Sequence, residues 1–128
     1  MSNIFQNMVS FEIADVPMDE AQTVELGVTE SDRKFYPDRL LILCDEAPSL
    51  IGASSVSVGT NGSSYNNIAQ SLLSTLVAAD KLLKVDVPAA PLNATPGNTA
   101  IKAKITPVLA SGGKMRLILV GFYGDYEI

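Results

Sequence analysis

The chemically versatile residues in this chain are its carboxylates: fourteen Asp and Glu stand against nine Lys and Arg, for a net charge of −5. Short groups among them are Glu30 with Asp32, Asp45 with Glu46, and Asp125 with Glu127. Two carboxylates facing each other across a cleft are what a glycosidase needs. Adjacent residues such as Asp45 and Glu46 point to opposite sides of an extended chain, so they are expected as solvated turn residues. There is no His, which removes the usual general base near neutral pH, the common nucleophilic triads and most zinc sites. The expectation is a protein that is not an enzyme, with no catalytic residue, cofactor or metal.

The remaining candidates reduce to structural readings. Calcium takes oxygen ligands, but Glu30-Ser31-Asp32 lacks the alternating acidic loop that would cage it. Gly59-Thr60-Asn61-Gly62-Ser63 lacks the Gly-Lys-Ser/Thr ending of a phosphate loop and reads as a strand-ending turn. Ser54, Ser55, Ser57 and Thr60 form a polar strand face of the kind some sugar-binding modules use. Such faces rely on aromatic platforms, and the chain has no Trp and four Tyr. Cys44, the lone cysteine, lies within Leu40-Leu41-Ile42-Leu43-Cys44 and is expected as an inert core thiol. The Asn61 and Asn93 sequons carry weight only on a secretory route.

Charge and composition bound the partners. The basic residues are scattered, with Lys81, Lys84, Lys102, Lys104 and Lys114 spread over half the chain, so nucleic acid is not an expected partner. No stretch approaches the roughly 20 apolar residues that span a bilayer, so no membrane partner is expected either. Met1-Ser2-Asn3-Ile4-Phe5 has neither the basic nor the apolar region of a secretory signal, which leads us to expect folding in a cytoplasm. With 128 residues, 47% apolar and 18% charged, the chain can bury one core.

The elements that must position these residues read mainly as strands. Apolar and polar residues alternate at Val9-Phe11-Ile13, Val24-Leu26-Val28, Val56-Val58, Leu83-Val85-Val87 and Ile101-Ala103-Ile105. Two further runs, Leu40 to Cys44 and Met115 to Tyr123, are apolar on both faces and require cover on both. A helix or a neighbouring subunit must supply the second cover. From Ser64 to Ala79, Ile68, Leu72, Leu76 and Ala79 recur at helical spacing behind the N-cap candidates Ser64 and Asn66, which predicts one short helix near residues 65–79. Asp15-Val16-Pro17 is expected to end the first strand, Tyr36-Pro37-Asp38 to precede the third, and Ser111-Gly112-Gly113-Lys114 to turn a hairpin between the last two. Pro107 marks a bulge or strand break. The fold class is therefore mainly β: a single antiparallel, jelly-roll-like β-sandwich over residues 1–128, with 1–8 as an N-terminal anchoring segment.

The run Ser55-Val56-Ser57-Val58-Gly59-Thr60-Asn61, continued by Tyr65-Asn66-Asn67-Ile68, and the ending Leu117-Ile118-Leu119-Val120-Gly121-Phe122-Tyr123 resemble a known group. They are similar to the small β-sandwich capsid decoration, or cement, proteins of tailed bacteriophages. The resemblance covers about the second half of the chain and lies in texture rather than in an invariant motif. It implies a virion structural protein that assembles in the host cytoplasm. On the capsid exterior it would bridge major capsid protein subunits as a homotrimer and stabilise the head. It brings no catalytic or cofactor residues, and the chain lacks the long extended arm of some such proteins. A carbohydrate- or receptor-binding module of a phage tail fibre is the alternative. Aromatic and Met side chains are enriched in interface cores. Ile4, Phe5, Met8, Tyr123, Tyr126 and Ile128 are accordingly the candidate partner-binding residues.

Overall fold

Each alternating run forms a strand, as does each two-sided apolar run, and the chain pairs them in a nested order. The computed structural model describes residues 8–87 and 94–126, with the backbone alone for 125 and 126. Its strands are β1 (Met8–Pro17), β2 (Gln22–Val28), β3 (Arg33–Glu46), β4 (Ser55–Gly59), β5 (Ala69–Leu72), β6 (Leu82–Asp86), β7 (Ala100–Thr106) and β8 (Lys114–Tyr126). β1 pairs with β8, β2 with β7, β3 with β6 and β4 with β5, all antiparallel. The chain is thus one long hairpin folded on itself and wrapped. Additional pairing of β3 with β8 and β4 with β7 closes two four-stranded sheets, β1-β8-β3-β6 and β2-β7-β4-β5. This is jelly-roll topology.

Between the sheets lies one apolar core. The first sheet contributes Phe35, Leu40, Ile42, Cys44, Met115, Leu117 and Leu119, and the second Leu26, Val56, Val58, Ile101, Ala103 and Ile105. Partly buried Val9, Phe11 and Ile13 of β1 close one flank. Phe35 is edge-on to Phe11 at 5.1 Å and to Tyr123 at 5.7 Å, geometries favoured by the ring quadrupoles. The ring of Phe35 lies so close to β8 that a side chain at Gly121 would begin 2.6 Å from it and 2.3 Å from the Tyr36 carbonyl oxygen.

The helix expected near 65–79 does not form. Residues 69–72 are instead β5, an edge strand whose register on β4 runs from Ser55↔Leu72 to Val58↔Ala69. The helical spacing does not define a face: Ile68 and Leu76 are buried, whereas Leu72 is 60% exposed. The N-cap candidate Asn66 is committed to a turn. The Asn66 and Asn67 backbone N–H groups both donate to Asn61 Oδ1, at 2.9 and 3.2 Å, and Asn67 Oδ1 accepts from the Thr60 N–H at 2.8 Å. A rigid asparagine turn and the open edge of β4 together outweigh a weak local preference.

Two turn expectations also change. Tyr36-Pro37-Asp38 lies inside β3, where the register against β8 shifts between Pro37 and Arg39; a bulge accommodates a proline without a ladder N–H. β1 does end at Pro17, as expected, and Asp15 occupies a bulge between Ile13 and Val16, at φ 57°. Ser111 to Lys114 is no hairpin turn, because β7 and β8 belong to different sheets. β7 does stop at Thr106, immediately before Pro107.

A candidate assembly surface

The two sheets have unlike outer faces. On the second sheet the outward positions are polar, among them Thr23 and Glu25 of β2, Lys102 and Lys104 of β7, and Ser55 and Ser57 of β4. On the first sheet the ladder aligns outward residues in rows: Tyr36 with Phe122, Arg39 with Val120, Leu41 with Ile118, and Leu43 with Arg116. β1 adds Met8, Ser10 and Glu12, and β6 adds Leu82, Lys84 and Asp86. The centre of this face is a continuous apolar stripe: Phe122, Val120 and Ile118 beside Leu41 and Leu43. Leu82, 53% exposed, and Met8, 40% exposed, lie at its sides. The inner faces of β3 and β8 are covered by the second sheet. Among the described residues no element covers the outer ones.

Two arginines bracket the stripe. Arg116 Nη1 pairs with Glu12 Oε1 at 3.1 Å, and its Nε lies 3.8 Å from Asp45 Oδ2. Arg39 Nε lies 3.8 Å from Asp38 Oδ2. Both Nε groups are shut off from solvent without a hydrogen-bond partner. These are donors that the chain itself leaves unmet.

A second apolar surface caps one end of the sandwich. The loops joining β3 to β4 and β7 to β8 meet there, and Leu50 bridges Ser111. Buried Ser54 holds the two loops together, its hydroxyl donating to the Ile51 carbonyl at 2.6 Å and accepting from the Val108 N–H at 2.9 Å. Held outward are Leu50 at 53% exposure, Val108 at 42% and Leu109 at 78%. Leu109 has φ 53°, a left-handed conformation that costs a bulky residue about 1 kcal/mol or more.

The sequence candidates fall unevenly on these surfaces. Met8 lies on the apolar face. Tyr123 points inward and is 7% exposed; its ring meets Phe35 and its hydroxyl accepts from the Glu30 N–H at 2.7 Å. Its bulk is thus used within the chain. Ile4, Phe5 and Ile128 lie outside the described residues, as does the side chain of Tyr126. Sequence reasoning identified the two-sided strands but did not name Leu41, Leu43, Ile118 or Val120 as contact residues. It missed Leu50, Val108 and Leu109, for which the signal was the apolar run Val108-Leu109-Ala110 in a connection.

Asp45 and Glu46 are exposed at the end of β3, and Glu30 pairs with Arg33 at 3.9 Å. No group of three or more potential metal ligands occurs among the described residues. Two open surface grooves, of about 350 and 400 Å³, contain no carboxylate in their linings. Cys44 is fully buried, and its thiol pKa is raised, first by burial and then by Asp45 and Asp80, so it stays protonated and unreactive. No helix of the described chain is long and apolar enough to cross a membrane.

Fold and surface together define a jelly-roll sandwich with an apolar sheet face that no described element covers. No protein-family model and no curated protein matches the chain. Solved structures do. A chain in the acidic stable capsid structure of Helicobacter pylori bacteriophage KHP30 superposes with a TM-score of 0.58 at 14% identity, covering 92% of this chain and 100% of that one. A chain of the cyanophage Pam1 capsid asymmetric unit gives 0.46 at 17% identity, covering 91% of this chain and 80% of that one. A chain of infectious bursal disease virus strain Gx gives 0.42 at 13% identity, covering 88% of this chain and 32% of that one. The first shows that a chain of similar fold occurs in a phage capsid structure.

Proposed function

We propose that the chain is a non-enzymatic virion structural protein of the decoration, or cement, class. It sits on the capsid exterior as a homotrimer and stabilises the shell by bridging major capsid protein subunits. The observation that carries this reading is the apolar outer face of β3 and β8. A soluble sandwich tolerates scattered exposed apolar groups, but a continuous stripe across a sheet centre marks a contact surface. The KHP30 capsid likeness supports the setting through fold alone. A cement protein needs two surfaces, one toward its own copies and one toward the shell. The sheet face suits the first, and the end cap of Leu50, Val108 and Leu109 suits the second, since it is an exposed apolar cluster separate from that face.

The test is reconstitution. Particles made without the chain are mixed with purified protein, and bound copies per shell and the temperature of genome release are measured. Saturation at a fixed stoichiometry with a higher release temperature supports the proposal. Absence of binding, together with absence of the chain from complete particles, overturns it.

A further inference from the structure

Of the seven asparagines, Asn61 alone is followed by glycine, and the pair lies in the connection from β4 to β5. Glycine has no side chain to shield its backbone nitrogen, so this is the asparagine best placed to react with its own chain. Among the described residues none bonds the Gly62 N–H, and a side chain at Gly62 would meet open space. The Asn61 carboxamide, by contrast, is clamped. Its Oδ1 accepts from the Asn66 and Asn67 backbone N–H groups at 2.9 and 3.2 Å, and its Nδ2 donates to Asn66 Oδ1 at 2.8 Å. The Asn61 carbonyl accepts from the Tyr65 N–H at 2.8 Å. Asn67 braces the clamp, accepting from the Thr60 N–H at 2.8 Å and donating to the Thr60 hydroxyl at 3.0 Å. Gly59 makes room for it: a side chain there would collide with Asn67 Oδ1 and the Tyr65 backbone and lie 2.8 Å from Asn61 Oδ1. Ser63 and Tyr65 are left-handed, at φ 67° and 45°, conformations that such residues keep only where their surroundings hold them.

We propose that Asn61 is a self-modification site held shut by this turn, and that it converts to aspartate and isoaspartate through a succinimide once the clamp opens. The Gly62 nitrogen gives its proton to solvent hydroxide and attacks Asn61 Cγ. The N–Cγ bond forms, the Cγ–Nδ2 bond breaks, and Nδ2 takes a proton from water and leaves as ammonia. A second water then opens the succinimide at either carbonyl; nothing is oxidised or reduced. Attack requires Cγ to turn toward the Gly62 nitrogen, and the three hydrogen bonds on the carboxamide oppose that rotation. Opening at the backbone carbonyl gives isoaspartate, in which the two carbonyl carbons of residue 61 exchange places between main chain and side chain. The acceptors that met Tyr65, Asn66 and Asn67 are then misplaced, so the clamp does not re-form. Either product adds a carboxylate to a turn that two cations already touch. Lys104 Nζ donates to the Ser63 carbonyl at 3.0 Å, and Lys102 Nζ lies 5.8 Å from the centre of the Tyr65 ring. Their charge favours the anionic product.

The experiment incubates the full chain at mildly alkaline pH, well below its melting midpoint, and follows residue 61 by peptide mass mapping. Labelling by an isoaspartyl methyltransferase reports isoaspartate, and thermal melting checks folding. Each ordinary hydrogen bond that must open slows a step by roughly two- to tenfold. The folded chain should therefore convert at least about tenfold more slowly than the same chain unfolded in guanidinium chloride. Asn66→Ala, at an exposed position, removes the Nδ2 acceptor, keeps both backbone donors, and should convert roughly two- to tenfold faster than the intact chain without a change in melting. Gly59→Ala displaces the clamp as a whole and should approach the unfolded rate. Gly62→Ala has room for its methyl group and should suppress conversion, folded or unfolded, by shielding the attacking nitrogen. Should Gly59→Ala fail to fold, Asn66→Ala carries the test. Folded conversion as fast as unfolded conversion overturns the inference. So do Asn66→Ala at the intact rate, Gly62→Ala converting as the intact chain does, and another asparagine reacting first in the unfolded chain.

Discussion

Gly121→Ala tests the packing argument at its tightest point. Gly121 lies in the middle of β8, opposite Pro37 of β3. A methyl group there would sit 2.3 Å from the Tyr36 carbonyl oxygen and 2.6 to 2.8 Å from Phe35 ring carbons, against ordinary contacts of 3.4 Å or more. Neither neighbour can retreat cheaply. The carbonyl belongs to the β3 backbone, and the ring is fully buried between Phe11 and Tyr123. Forcing one methyl into a packed site costs about 1–3 kcal/mol, and a backbone neighbour puts this case near the top of that range. At roughly 3–5 °C per kcal/mol for a domain of this size, the midpoint should fall by about 10 °C. Chemical denaturation gives the free energy and calorimetry the midpoint. A loss below about 0.5 kcal/mol would refute the close approach of β3 and β8. Phe35→Leu in the same background should recover only a small part, because the carbonyl contact remains.

Four further outcomes follow from single contacts. Ser54→Ala removes a buried hydroxyl that donates to Ile51 and accepts from Val108, and should cost about 1–3 kcal/mol in urea unfolding. Tyr123→Phe leaves the Glu30 N–H without its acceptor and should cost about 1 kcal/mol, with the ring contacts retained. Leu109→Gly should leave thermal stability unchanged or slightly raised, since glycine adopts φ 53° without strain, while weakening attachment to reconstituted shells. Cys44 should resist thiol reagents until the chain unfolds. Its folded pKa is raised, so above the ordinary thiol value of about 8.5 the unfolded chain loses the proton first and stability falls with pH; Cys44→Ala should remove that slope.

Most strands were legible because a sheet with one wet face writes its period directly into the sequence. Val9-Phe11-Ile13 and Ile101-Ala103-Ile105 could be read at sight, and the two-sided runs gave away the central strands β3 and β8. Alternation failed at Val28, where a bulge between Glu25 and Gly27 reverses the facing and turns the valine outward. β5 was hidden because four residues are too few to show a period, and its neighbours Ile68 and Leu76 happened to fall at helical spacing. Pairing order was not legible, since alternation records which face a residue takes and not which strand lies beside it. The outer surface was half legible: two-sided strands announced a missing cover, whereas the loop-borne Leu109 carried no periodic signal.

The nested pairing of strands has a consequence for how the chain reaches this state. β4 and β5 are joined by a short connection and can meet early, whereas β1 and β8 bring together residues as distant as Met8 and Phe122. Closing so large a loop first would be entropically expensive, but each inner pair shortens the effective loop for the next. Folding should therefore run outward from the β4–β5 hairpin, slowly for a domain of this size. β8, the central strand that carries Ile118, Val120 and Phe122 of the apolar stripe, would be among the last to settle. The sticky surface would then be completed only once the rest of the sandwich stands, which shortens the time in which half-folded copies can adhere to one another.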